Sequence, residues 1–277
     1  MSTPTAAALP AARPVPARPL TRDLRLAARQ VLDEQRTFWR NRSRAFFSFA
    51  LPLMFLVIFA GLNHGDVLHD RGGIPADAFV VPGLLAYGVI MATFTGIATD
   101  LAIARDTGVL KRAQGTPLPP WAFVAGRVGS AVLVAAAVSA LTLLIAAFGY
   151  GVHVPASTVP GLVAALVFGT ACCAALGVAV VRVIPNAEAA GAVTNGLVLP
   201  LTFISGVWGE FGGMPSWLHD IAQLFPIEHL AAALQLAFDP RTTGAGIAGG
   251  DLLVLALWGA AGVLLGLRFL RTQLRRG

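Results

Sequence analysis

Residues 121–148 read WAFVAGRVGSAVLVAAAVSALTLLIAAF, twenty-eight residues in which Arg127 is the only charge. A bilayer core of about 30 Å is crossed by about 20 residues of helix. The run therefore predicts a membrane-spanning helix. Arg127 lies about one and a half turns in, where a long side chain can snorkel to the surface. Five more runs fit the same description, at about 45–62, 78–99, 159–181, 187–207 and 252–270. The expected fold is an all-α polytopic membrane protein, a domain of six spans over 45–270. Composition agrees. Charged residues are 12% and hydrophobic residues 56% of the 277, against about 25% charged in soluble domains.

The flanks of the runs set the orientation. Nine arginines precede the first run. Arg105, Lys111 and Arg112 lie between the second and third, Arg182 between the fourth and fifth, and Arg268, Arg271, Arg275 and Arg276 close the chain. Only Arg71 and Arg241 fall on the opposite side. The positive-inside rule then predicts both termini in the cytoplasm. Basic residues placed this way serve topology, and nucleic acid is not an expected partner.

Residues 1–20 are rich in Ala and Pro and lack an apolar core segment, so a disordered tail without a secretory signal is expected. Residues 21–44 read as a cytoplasmic amphipathic interface helix. Leu24, Val31, Leu32 and Phe38 can share one side with Trp39 near the end, and Arg22, Arg25, Arg29, Arg36 and Arg40 supply charge. A solvated, topology-setting N-terminus is the alternative. Residues 271–277 form a basic cytoplasmic tail.

The connection 208–250 is not uniformly polar. Residues 217–224 and 227–238 are helix-like and amphipathic, and either dip back into the outer leaflet or pack across the top of the bundle. Gly262 and Gly266 form a GxxxG pair of the kind that lets helices approach closely. Pro52, Pro82 and Pro200 are expected to bend their spans. Adjacent Cys172 and Cys173 read as small buried packing residues. Heavy use of Ala, Gly and Arg, with Lys111 the only lysine, points to a GC-rich bacterial genome and hence to a bacterial plasma membrane.

The segment Arg105-Asp106-Thr107-Gly108-Val109-Leu110-Lys111-Arg112, followed by Gly115-Thr116-Pro117-Leu118-Pro119, is long enough for a short helix and a turn. Gly108 and Gly115 permit tight backbone geometry, and Pro117 and Pro119 stop a helix before the third span. A charged helix fixed at the membrane face suits docking of a soluble partner, and an ordinary basic loop is the other reading.

That segment resembles the link between the second and third spans of ABC-2 type exporter permeases, most closely the drug-resistance and antibiotic-export branch. An acidic-x-Gly-x-Leu-Lys/Arg-Arg stretch precedes a Thr-Pro-Leu-Pro-like turn there. Asp106, Gly108, Leu110, Lys111, Arg112, Thr116, Pro117, Leu118 and Pro119 occupy those places, with Asp106 where Glu is frequent and Val109 where Thr is frequent. The amphipathic helix before the first span, six spans and a long outer segment also match. Leu224-Phe225-Pro226-Ile227-Glu228-His229 is similar to the family's Asn-Pro-hydrophobic element, with Phe225 in place of Asn.

The resemblance implies a transport subunit that is not itself an enzyme. It implies a separate ABC ATPase that binds the ATP, and a second permease copy, in a homodimer or heterodimer. Arg105, Asp106, Gly108, Leu110, Lys111, Arg112, Thr116 and Pro117 would couple to the ATPase. Arg36, Trp39 and Arg40 would act in the interface helix, and Pro226, Glu228 and His229 in an outer re-entrant segment. The cargo would be amphipathic, drug-like or lipid-like.

The residues agree in two respects. No G-x-x-x-x-G-K-[ST] phosphate loop is present, so no cofactor is expected on this chain. The spans are nearly free of ionisable groups, which weighs against an ion-coupled carrier. A stand-alone secondary transporter or channel remains the competing reading, and a membrane scaffold or sensor a third. The five histidines, His64, His69, His153, His219 and His229, map to outer loops. His219, Asp220, Glu228 and His229 have spacing that fits no metal motif, so no metal site is expected.

Overall fold

A computed structural model describes residues 20–68, 73–109, 112, 120–208 and 215–275. Ten α-helices make up nearly all of them. Helix α1 is Leu20–Arg40 and α2 is Arg42–Leu62. The sequence predicts one interface helix to residue 44 and a first span from 45. The structure instead breaks the chain at Asn41, whose Oδ1 accepts the Arg44 amide at 3.1 Å and caps α2. Asn is among the strongest N-caps, and one capping bond suffices to restart a helix in a new direction.

After α2 comes a two-residue antiparallel ribbon that pairs Val67–Leu68 with Ile74–Pro75. Helix α3 (Ala76–Ile90), a π-helical turn (Met91–Thr95) and α4 (Gly96–Asp106) then form one continuous span, the most buried of the six. It runs seven residues past the expected end at 99. Helix α5 is Pro120–Tyr150, α6 Val159–Val180 and α7 Ala187–Ile204. Helices α8 (Ser216–Ala222) and α9 (Pro226–Phe238) meet at 91°. Helix α10 is Gly249–Arg275, so the segment expected as a tail from 271 is helical through 275. Six helices are long and apolar enough to cross a membrane, and the bent α8–α9 pair passes that test only jointly.

The two faces of the bundle differ in charge. Helix α1, the end of α4, the α6–α7 turn and the end of α10 share a basic face. The ribbon and the α8–α10 connection lie opposite.

Small residues decide which helices touch. A Cβ added at Gly262 would lie 2.9 Å from the Ala175 carbonyl carbon, and one at Gly266 would lie 3.0 Å from Val178. The GxxxG pair therefore seats α10 directly on the α6 backbone. Gly169 makes room for Leu230 of α9, which is fully buried.

Helix α9 does not lie across the top. It packs between α3, α6 and α10. Its first residues, Pro226 and Ile227, share a cavity wall with Cys173, Leu176 and Trp258, about halfway along α6 and α10. Trp258 donates its indole N–H to the Leu224 carbonyl at 3.1 Å, and buried Thr158 donates its hydroxyl to the Ala237 carbonyl at 2.6 Å. Apolar residues on every face of α9 make this burial favourable, and the two side-chain donors satisfy carbonyls that lipid could not. The α8–α9 pair thus folds back into the bundle from the face opposite the basic one. An aromatic cluster of Phe55, Phe59, Tyr87 and Trp208 fills the bundle above it, with Tyr87 and Trp208 centroids 4.9 Å apart.

Candidate coupling face

The basic face is built on three contacts between helices. The first docks α1 on α5. Gly126 and Gly129 lie on the side of α5 that α1 meets. A Cβ at Gly126 would come within 2.2 Å of Gln30 Cγ, and one at Gly129 within 2.6 Å of Val31 Cγ2. Only glycine lets the two backbones come this close. Gln35 donates from Nε2 to the Ser130 carbonyl at 2.9 Å and to its hydroxyl at 3.1 Å. Glu34 Oε1 sits 3.0 Å from Arg127 Nη1. The approach lacks hydrogen-bond alignment, so its attraction is chiefly Coulombic. Arg127 Cζ also lies 4.1 Å from the Phe123 ring centre. Arg127 was expected to snorkel to the surface. It is instead buried under α1, because α1 brings a carboxylate to it.

The second contact ties α2 to α4, where the Arg44 guanidinium bonds the Asp100 carboxylate. An arginine at the start of one span and an aspartate in the next neutralise each other where isolated charges would be costly.

The third contact ties the end of α4 to the α6–α7 turn. Arg105 donates from Nη1 to the Val181 carbonyl at 3.0 Å and from Nη2 to the Pro185 carbonyl at 3.1 Å. Its Nε donates to Asp106 Oδ1 at 3.1 Å. Asp106 Oδ2 accepts the amide of Ala187, the first residue of α7. A cation therefore meets the C-terminal end of α6 and an anion the N-terminal end of α7, each matching the sign of the helix dipole. Asn186 adds the side-chain cap, its Oδ1 accepting the Ala189 amide at 2.8 Å.

Beyond Asp106 the chain turns outward. Gly108 has φ +69°, a left-handed conformation that favours glycine. The Arg112 amide then bonds the Gly108 carbonyl at 3.0 Å, as a new helical turn would, and its guanidinium bonds the Thr107 carbonyl at 3.0 Å. Arg112 is exposed. Leu110, Lys111, Thr116 and Pro117, with Leu118 and Pro119, lie outside the described residues.

The remaining residues singled out from the sequence separate into two places. On α1, Arg36 is exposed and pairs with Asp33 at 3.3 Å. Trp39 donates to Gln35 Oε1 at 3.1 Å and stacks on Phe49 at 5.6 Å, and Arg40 is exposed. Pro226, Glu228 and His229 open α9, whose first residues lie within the bundle beside α6 and α10. The His229 ring is 2.7 Å from Asp251 through Nδ1 and 2.9 Å from the Gln223 carbonyl through Nε2. Among the described residues, no three of His, Cys, Asp or Glu are placed to hold a metal. Cys172 and Cys173 are buried, free thiols.

Sequence reasoning did not find Glu34, Gln35, Ser130, Arg44 and Asp100. The Gly126-x-x-Gly129 spacing was the available signal for the first three.

Residues 26–238, from within α1 to the end of α9, match the family model described as ABC-2 type transporter. The chain belongs to the ABC-2 type transporter family. It is therefore a multi-pass membrane permease component of an ABC exporter, and the family implies an ABC ATPase as its partner. No curated protein matches the chain.

Proposed function

We propose that this permease exports an amphipathic, drug-like or lipid-like substrate from the cytoplasm or inner leaflet, driven by a separate ATPase that binds the ATP and docks on the basic face. Two permease copies assemble in a bacterial plasma membrane, with both termini in the cytoplasm. The drug-resistance and antibiotic-export branch is the closest in loop pattern.

The observation that carries the reading is the anchoring of the segment after α4. Arg105 and Asp106 tie its root to the α6–α7 turn by three polar contacts and to each other by a fourth, Gly108 turns the chain, and Arg112 stands exposed beyond it. A rigidly rooted basic knob can receive force, whereas a free loop would absorb it. The seventeen Lys and Arg on this side of the chain support a cytoplasmic orientation by the positive-inside rule. The sequence carries no G-x-x-x-x-G-K-[ST] phosphate loop, which supports a reading in which the partner binds the ATP.

The substrate class rests on a groove of about 760 Å³ between α5, α6 and α10. Val128, Val132, Leu166, Val167 and Val263 line it, with Ser139 and Thr170 its polar members. Such a wall suits an acyl or aromatic body and offers nothing to a multiply charged solute.

Charge reversal tests the docking. Lys111→Glu with Arg112→Glu is expected to abolish co-purification of the ATPase while the permease still inserts and folds. Unchanged co-purification and unchanged ATP-dependent export would show that the ATPase grips elsewhere.

A further inference from the structure

The sequence groups Arg105 and Asp106 with the residues that would touch the ATPase. Their side chains point the other way. Every polar contact the structure gives Arg105 goes to Val181, Pro185 or Asp106, and Asp106 reaches the first amide of α7. The Arg105 side chain is about four-fifths covered, while Asp106 sits at the exposed edge of the turn with its carboxylate directed at Ala187.

Helix α7 is the span that needs such a link. It is among the two least buried of the six. Its main packing within the chain is on α4, through Ala98 and Ala102 against Ala190 and Val193, with buried Ile184 of the preceding turn beside them. These contacts are apolar. In lipid, where hydrophobic burial gives no net drive, they hold helices together only weakly. The charge-assisted bonds at the basic end are stronger and directional.

We propose that Arg105 and Asp106 are positioning residues, a strap that makes the basic end of α7 follow α4. Resting on the ATPase-driven reading above, this means that a push received at Arg112 reaches the fifth span as well as the second. The two helix ends held by the strap are the C-terminus of α6 and the N-terminus of α7, so the turn between them moves as one piece with α4.

Two measurements on the full chain test the strap. The first is hydrogen exchange of the Ala187–Ala190 amides in the purified permease. Asp106→Ala is expected to speed exchange severalfold, and Asp106→Asn, which keeps a carbonyl acceptor, to restore most of the protection. Equal exchange in all three would overturn the proposal.

The second is the distance between nitroxides at Leu133→Cys on α5 and Leu197→Cys on α7, with the ATPase bound and ATP added. Both sites are exposed, and the native cysteines are buried. The strap predicts an ATP-dependent change that Asp106→Ala and Arg105→Ala abolish while the ATPase still co-purifies. Loss of co-purification would make these residues docking contacts, and an undiminished change would mean that α7 moves without them. A parent chain with bound ATPase and no ATP-dependent change would sink the ATPase-driven reading itself, while the exchange data still report on the strap.

Discussion

Glu34 of α1 lies 3.0 Å from Arg127 of α5, and both side chains are largely buried, 17% and 13% exposed. Helix α1 is therefore part of the bundle. It covers a charge that would otherwise face the membrane interface, and it rests on the two glycines that let it come close.

Breaking that pair from one side leaves a buried, unpaired charge. Glu34→Ala is expected to destabilise by about 3–5 kcal/mol, read as a lower unfolding temperature in detergent. Glu34→Leu combined with Arg127→Met, which removes both charges, is expected to recover most of the loss. A double variant as unstable as Glu34→Ala alone would show that the pair is not the source.

The glycines of α10 give a graded prediction. Gly262→Val puts a side chain against the Ala175 backbone and is expected to cost about 1–3 kcal/mol or more. Gly191→Ala and Gly196→Ala on α7 meet nothing within 4 Å and should leave the unfolding temperature nearly unchanged. Thermal unfolding of the three in the same detergent makes the comparison.

Thr158→Val keeps the shape of the residue and deletes the hydroxyl that holds the end of α9. One buried hydrogen bond is worth about 1 kcal/mol, more when its acceptor is left unpaired. Limited proteolysis within 215–249 should be faster in this variant, with cleavage elsewhere unchanged.

Gly126→Leu should lift α1 off α5, because its side chain would occupy the place of Gln30. The expected readout is new protease sensitivity within α1 and loss of ATPase co-purification. Retained co-purification would confine the docking surface to the segment after α4.

The spans were legible because length and apolarity are local properties. Runs such as 121–148 need no knowledge of neighbours to be read as crossing a bilayer. Helix ends were less so: Asn41 caps α2 through one bond to the Arg44 amide, and nothing in the amphipathic pattern marks a break there. The re-entry of α9 was left open by the sequence, since an amphipathic helix can lie on a bundle or within it. Leu230 against Gly169 and Trp258 against Leu224 show that α9 packs within the bundle. The strap was not legible at all. Arg105 bonds backbone carbonyls 76 and 80 residues away, and carbonyls leave no trace in side-chain pattern. Sequence could group Arg105 and Asp106 with the docking segment but could not say that they bond the turn between α6 and α7.

The central claim is that the segment rooted by Arg105 and Asp106 meets an ATPase on the cytoplasmic side. Its most direct test is a photo-crosslinking residue at Arg112, activated in intact cells. The account predicts one dominant adduct, to a protein that binds and hydrolyses ATP. Absence of that adduct, together with labelling of Arg112→Cys by a membrane-impermeant thiol reagent added outside the cell, would contradict it.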